Sequence, residues 1–285
     1  MGKSLDKQSI QKISFFHVPG HKESLEWKNK ITKWIKINFP GIKIVSKDYD
    51  ALIVLGGDGT MLRAAKICQK HNAVIIGLNL GTVGFLSSVR EPKNFLSALK
   101  KFLTGNFYVT ERGMLEAKII RGKKSVFSTN ALNEIIILNP LGMVEIKVEI
   151  DGYMIQKVRG SGILLSTATG STAYNLSAHG PIAMPDAKNF ILTELLDHDI
   201  PTPSIVLNET QEVALKVENF RKRELLSVSK TGKKADVMFI ADGETVFPLE
   251  KNDYIVIRKF PATVKIAEFE KNYFLKSLRE KFTFK

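Results

Sequence analysis

The apolar run Ala51-Leu52-Ile53-Val54-Leu55 ends abruptly in Gly56-Gly57-Asp58-Gly59-Thr60, and residues 61–71 then follow a helical pattern. Five uninterrupted apolar residues suit a strand buried on both faces, as in a parallel sheet covered by helices. The glycines allow a tight turn and close backbone approach to a ligand. The start of the helix adds unpaired N–H groups and the positive end of its dipole, so the junction suits an anion. Asp58 is the odd member. A carboxylate repels phosphate unless a metal screens it or it takes a proton from an attacking hydroxyl, so the loop points to phosphoryl transfer. A plain strand-to-helix turn with Asp58 as the helix cap is the simpler alternative.

Around this junction, strand-like and amphipathic stretches alternate. Residues 14–18 read as a strand, Lys22–Asn38 as a helix with Leu25, Trp27, Ile31, Trp34 and Ile35 on its apolar side, and 42–45 as a short strand. Residues 73–79 form a fully apolar strand running into a second glycine turn, 81–85, and 92–103 a helix. From residue 107 the pattern changes to long runs, at 108–120, 125–139, 144–156, 163–166, 212–217 and 235–259. Asp151-Gly152 and Asp242-Gly243 supply hairpin turns. The expected fold is an α/β N-terminal domain over 1–105, doubly wound around a parallel sheet of the Rossmann or flavodoxin-like kind, then an antiparallel β-rich domain over 106–265. Residues 266–285 add a C-terminal helix that packs back on the first domain. Ligands of such parallel sheets lie beyond the carboxyl ends of the strands, where both glycine turns fall.

At 285 residues and 44% hydrophobic, the chain can bury a large core. No run of about 18 apolar residues occurs, and the N-terminal residues lead into no apolar signal region, so a cytoplasmic location and no membrane partner are expected. The single cysteine, Cys68, cannot form an internal disulfide and falls in the helix after the glycine loop, where it reads as a core thiol. A net charge of +13 suits an anionic partner. The lysines are spread along the chain with no nucleic-acid motif, so most read as solvated surface and no nucleic acid is expected.

Two polar clusters mark the β-rich half. Asn133-Glu134 precedes the run Ile135-Ile136-Ile137-Leu138. An amide beside a carboxylate can grip the adjacent hydroxyls of a ribose, or can simply face water at a strand edge. Residues 159–177 are crowded with glycine and small hydroxyl side chains, and Tyr174 offers an aromatic face for a base. A polar turn capping a short helix is the alternative.

The glycine-aspartate loop, Asn133-Glu134 and Ser166-Thr167-Ala168-Thr169-Gly170-Ser171-Thr172-Ala173-Tyr174, in this order and spacing, resemble the NAD kinase family, as does Asp242-Gly243 with the segment through Phe247-Pro248-Leu249. The resemblance implies phosphorylation of the 2′-hydroxyl on the adenosine ribose of NAD, giving NADP, with ATP or polyphosphate as donor. It also implies a divalent metal, Mg²⁺, held mainly through the nucleotide phosphates rather than by protein ligands, and a homodimer or homotetramer. Residue by residue, Asp58 matches the base, with Gly57, Gly59, Thr60 and Arg63 around it, and Phe85 matches an aromatic position near adenine. Asn133 and Glu134 match ribose-binding positions. Arg159, Ser161, Thr169, Thr172, Ala173, Tyr174, Asn175 and Ser177 fall in the dinucleotide-binding segment.

Some positions depart from the family pattern. Ser161 stands where an aspartate directed at the nicotinamide end is usual, Ala168 replaces proline and His179 replaces glycine. Residues 192–207 lack the usual Pro-His-Ser-Leu-like segment. A diacylglycerol-type lipid kinase shares the glycine-aspartate loop, but its Gly-Thr-Gly-Asn-Asp segment is missing here. A non-catalytic dinucleotide-binding regulator of the same fold is the other alternative, which the presence of Asp58, Asn133 and Glu134 argues against.

Overall fold

The computed structural model describes residues 10–68, 71–81, 84–198, 202–223, 226–228 and 234–282. They divide into two compact units, one drawn from 1–112 and 263–285, the other from 113–262.

The first unit is built on a six-stranded sheet ordered Lys43–Ile44, Lys12–His17, Ala51–Leu55, Val74–Leu78, Val264–Glu268 and Tyr108–Arg112. Its first five strands run parallel and the Tyr108–Arg112 edge is antiparallel. Ala51–Leu55 and Val74–Leu78 are buried at every position, as expected for strands covered on both faces. They pair in register from Ala51 opposite Val74 to Leu55 opposite Leu78, so their carboxyl ends and both glycine turns share one edge. The helix Lys22–Asn38 begins and ends where its periodicity indicated, with Ile31 and Ile35 buried against the core beside Phe95 and Phe102. The second helix starts earlier than expected, at Asp58, and ends at Cys68. Its first bond is already made when the Met61 amide donates to the Gly57 carbonyl, so the glycine turn itself enters the helix.

The 108–120 run is not one strand. Tyr108–Arg112 belongs to the first unit's sheet, whereas Leu115–Arg121 joins the second unit and pairs with Tyr254–Lys259. The strand Val264–Glu268, expected as the end of the β-rich stretch and the start of a helix, inserts beside Val74–Leu78. The C-terminal helix occupies Tyr273–Phe282.

The second unit is antiparallel throughout. In Val144–Ile150 every second residue is buried, the alternation expected of a sheet with one face on the core. The long strand Tyr153–Thr167 is shared: its first half pairs with Val144–Ile150, and its second half lies between Glu134–Leu138 and Asn189–Asp197. On its other edge Glu134–Leu138 pairs with Val237–Ala241. Three neighbouring strands therefore bring Glu134, Thr167 and Asp242 to the same end of the sheet, around a core that includes Ile137, Ile163, Leu165 and Phe239.

Candidate active site

In the first unit the candidate site is built around Asp58. Its carboxylate does not cap its own helix. It reaches across to the second glycine turn, where it accepts hydrogen bonds from the amides of Phe85 at 2.8 Å and Leu86 at 3.3 Å. Two glycines make this arrangement possible. A Cβ on Gly84 would overlap the Asp58 carboxylate, and one on Gly56, which has φ +153°, would overlap the Thr60 side chain. The receiving loop is itself docked on the strand Val74–Leu78. Val89 donates to the Gly77 carbonyl and Asn79 to the Val89 carbonyl, both at 2.9 Å, and the Ser88 hydroxyl accepts from the Gly77 amide at 3.0 Å. Asn79, buried beside Gly57, closes a turn with Gly81.

Burial pushes the Asp58 carboxyl above the ordinary range, while the two amides and the charge of Lys281 draw it back. The outcome is a carboxylate fixed in direction, shielded from bulk water and still compensated by donors. That combination suits a base that takes a proton from a bound hydroxyl. Gly59 and Arg63 are exposed, and Thr60 is buried beneath the turn. Phe85 is buried against Phe274 and Phe282 of the C-terminal helix, with the Lys281 ammonium 4.7 Å from its ring centroid, so much of its surface is covered by this chain itself.

In the second unit the structure joins the two polar clusters that were separate in sequence. Thr167 donates its amide to the Asn133 carbonyl at 2.8 Å and its hydroxyl to the Leu132 carbonyl at 2.6 Å. A Cβ on Gly170 would overlap the Asn133 carbonyl, so the loop can lie this close only with glycine there. Glu134 is 5% exposed, receives the Tyr174 amide, and leaves its Oε2 without a partner. Desolvation and the facing Asp242 carboxylate push Glu134 up to about 7. Thr169 is buried, Thr172 and Ala173 are half-buried, and Tyr174 and Ser177 are exposed. Asn175 is fully buried, its side chain bonded to the carbonyls of Ser171 and Pro181 and to the Thr193 hydroxyl. Its amide is spent on holding the loop.

In the sequence Asp242 reads as a hairpin turn residue and as part of the family pattern, with no contact assigned to its carboxylate. Its carboxylate instead accepts from the amides of Leu132 and Asn133 at 3.1 and 2.8 Å and so fixes the Asn133-Glu134 pair. The sequence signal was an aspartate at a positive-φ turn, here +51°. Nothing in its spacing joins it to residues more than a hundred positions away.

Arg159 and Ser161 are not at this end of the sheet. Arg159 lies eight positions before Thr167 on the same strand, about 26 Å at the usual rise. Arg159 instead lies 3.6 Å from Glu145 and lines a cleft with Asn139, Arg221, Arg223 and Asp236. Among the described residues no three His, Cys, Asp or Glu side chains gather as a metal centre, and no helix is long and apolar enough to cross a membrane.

Comparison with known proteins covers both units. Residues 5–107 match the family described as the ATP-NAD kinase N-terminal domain, and 132–269 match the ATP-NAD kinase C-terminal domain. A NAD kinase of Lachnoclostridium phytofermentans is 31% identical over 249 residues, covering 86% of this chain and 84% of the relative. One of Cupriavidus pinatubonensis is 34% identical over 224 residues, covering 78% and 68%. Among solved structures, yeast NADH kinase complexed with NADH shares the fold at a TM-score of 0.85 with 19% identity, over 98% of this chain and 89% of that one. A NAD kinase from Archaeoglobus fulgidus in complex with ATP gives 0.69 with 23% identity, over 96% and 98%.

Proposed function

The chain belongs to the NAD kinase family, and on that premise we propose that it phosphorylates the adenosine-ribose 2′-hydroxyl of NAD to give NADP, with ATP as donor and Asp58 as the base. The observation that carries this reading is the Asp58 carboxylate, aimed by the Phe85 and Leu86 amides at the opening of a glycine-flanked helix. A ribose hydroxyl is a poor nucleophile at neutral pH. A positioned carboxylate that accepts its proton as the bond to phosphorus forms contributes typically 10²–10⁴-fold. Backbone N–H groups of the glycine loop and Arg63 meet charge on the transferring phosphoryl group.

Asn133 and Glu134 hold the ribose, and the exposed Tyr174 face stacks on the base. The unpartnered Glu134 Oε2 supports this role, because a sugar hydroxyl would satisfy it. Carried in on the donor's phosphates, a divalent cation such as Mg²⁺ supplies charge screening for the transfer. A cytoplasmic location and a homodimer or homotetramer complete the reading.

The test is to incubate the purified chain with NAD, or separately NADH, together with MgATP or polyphosphate, and to quantify the phosphorylated product with a coupled dehydrogenase. NADP formation that is lost in Asp58→Asn establishes the kinase and its donor. Intact NAD binding with no product from either donor would instead indicate a non-catalytic dinucleotide-binding protein.

A further inference from the structure

The C-terminal helix Tyr273–Phe282 grips the loop that holds Asp58 at several points. The Tyr273 hydroxyl donates to the Ser87 carbonyl and accepts from Arg90 Nε at 3.2 Å. The rest of the Arg90 guanidinium engages the Ser277 hydroxyl and the Glu280 carboxylate, and the Ser277 hydroxyl donates back to the Tyr273 carbonyl at 2.7 Å. Phe274 and Phe282 enclose Phe85, with ring centroids 5.8 and 6.3 Å away. Phe85 is the residue whose amide makes the shorter bond to Asp58. The last turn then sets Lys281 over the Phe85 ring and within electrostatic reach of the Asp58 carboxylate.

A helix that served only to cover core would need its aromatic side chains. It would not need four polar bonds to one six-residue stretch of loop, nor a cation over the ring of the residue whose amide holds Asp58. We infer that the C-terminal helix is a positioning element for the reaction, with Tyr273 and Arg90 fixing the loop that aims Asp58 and Lys281 setting a cation over the Phe85 ring next to it. This rests on the reading of Asp58 as the base. Among the described residues, the titratable groups in electrostatic contact with Asp58 are Lys281 and Tyr273, both from the helix, while Arg90 of the loop bonds Tyr273 and Arg63 lies five residues along the helix that Asp58 opens. Arg90 is occupied by Tyr273, Ser277 and Glu280, and Lys281 is the cation that acts on the carboxylate.

Lys281 is exposed, so replacing it removes a charge and no core packing. The experiment measures kcat and KM for NAD and MgATP from about pH 5 to about pH 9 in the full chain and in Lys281→Met, Lys281→Arg and Tyr273→Phe, with melting curves for each. A cation favours the ionised carboxylate, so its loss raises the pH at which Asp58 ionises. In Lys281→Met the acid limb of kcat moves up by about half a pH unit, the size of a screened surface pair, and Lys281→Arg restores it. Tyr273→Phe lowers kcat at every pH with KM unchanged. The inference is overturned if the Lys281→Met limb coincides with that of the parent, or if KM for MgATP rises while the limb stays, which would make Lys281 a donor-binding residue. Asp58→Asn run alongside separates the two readings. Retained turnover there removes the base and this inference with it, whereas lost turnover with an unmoved Lys281→Met limb removes this inference alone.

Discussion

The Asp58 carboxylate accepts two amide protons, from Phe85 and Leu86, whereas Glu134 receives one from Tyr174, faces Asp242 and keeps an oxygen without a partner. Both are withdrawn from water, which favours the neutral acid in each. Their neighbours then separate them. Around Asp58 every further influence, two amides and Lys281, favours the anion. Around Glu134 a second carboxylate adds to the cost of ionising, so the group titrates near neutrality. Two carboxylates under similar desolvation thus acquire different characters, one aimed and ionisable, the other able to donate or accept a hydrogen bond.

The widest test of that contrast is Asp58→Asn, which keeps the shape and removes the basicity. Turnover is expected to fall by about 10²–10⁴-fold with NAD affinity little changed. An equal loss of affinity measured by calorimetry would give Asp58 a binding role instead.

Glu134→Gln addresses the other carboxylate through stability. Glu134 goes from 4.5 unfolded to about 7 folded, so between those values the folded protein holds a proton that the unfolded chain has released. Its contribution is fully present below 4.5 and is lost as pH rises to about 7, with an upper bound of about 3 kcal/mol. Glutamine cannot lose that proton, so the variant gains stability relative to the parent as melting is followed from about pH 5 to about pH 8. Parallel pH dependences would show that Glu134 ionises normally.

Gly84→Ala sharpens the claim that Asp58 is aimed. The added methyl overlaps the carboxylate, which costs about 1–3 kcal/mol in denaturant unfolding and lowers kcat more than it raises KM. Full turnover in this variant would mean that the aim is not critical. Arg159→Ala provides the exposed counterpart. Its pairing with Glu145 is half-exposed and long, so the unfolding free energy should fall by no more than about 0.5 kcal/mol. A larger shift would make the cleft around Arg159 a structural centre.

Much of the fold was legible because its signals were local. Lys22–Asn38 follows from five apolar residues at helical spacing, and Ala51–Leu55 from an unbroken apolar run closed by glycines. The division of 108–120 between two sheets was not legible, because apolar patterning continues through it and only the partner strand changes. Val264–Glu268 was missed for a related reason: it is short, and what makes it a strand is the edge of Val74–Leu78, nearly 200 residues earlier. At the site, the glycine loop and the 166–174 segment were legible as motifs. The roles of Gly84, Asp242 and Lys281 were not, since each depends on which side chain or amide the fold brings opposite it.

The sequence by itself determined the strand-to-helix glycine turn, the change from α/β to antiparallel β, the apolar faces, and the residue types at the candidate site. These follow from the order of neighbouring residues, which sets backbone freedom and periodicity. Tertiary structure alone decided that Asp58 turns away from its own helix to the Phe85 amide, that Asp242 rather than solvent satisfies the Asn133 amide, and that Arg159 lies far along its strand from the Thr169 loop. Hydrogen bonds and desolvation act over a few ångströms of space, and separation along the chain carries no record of that distance.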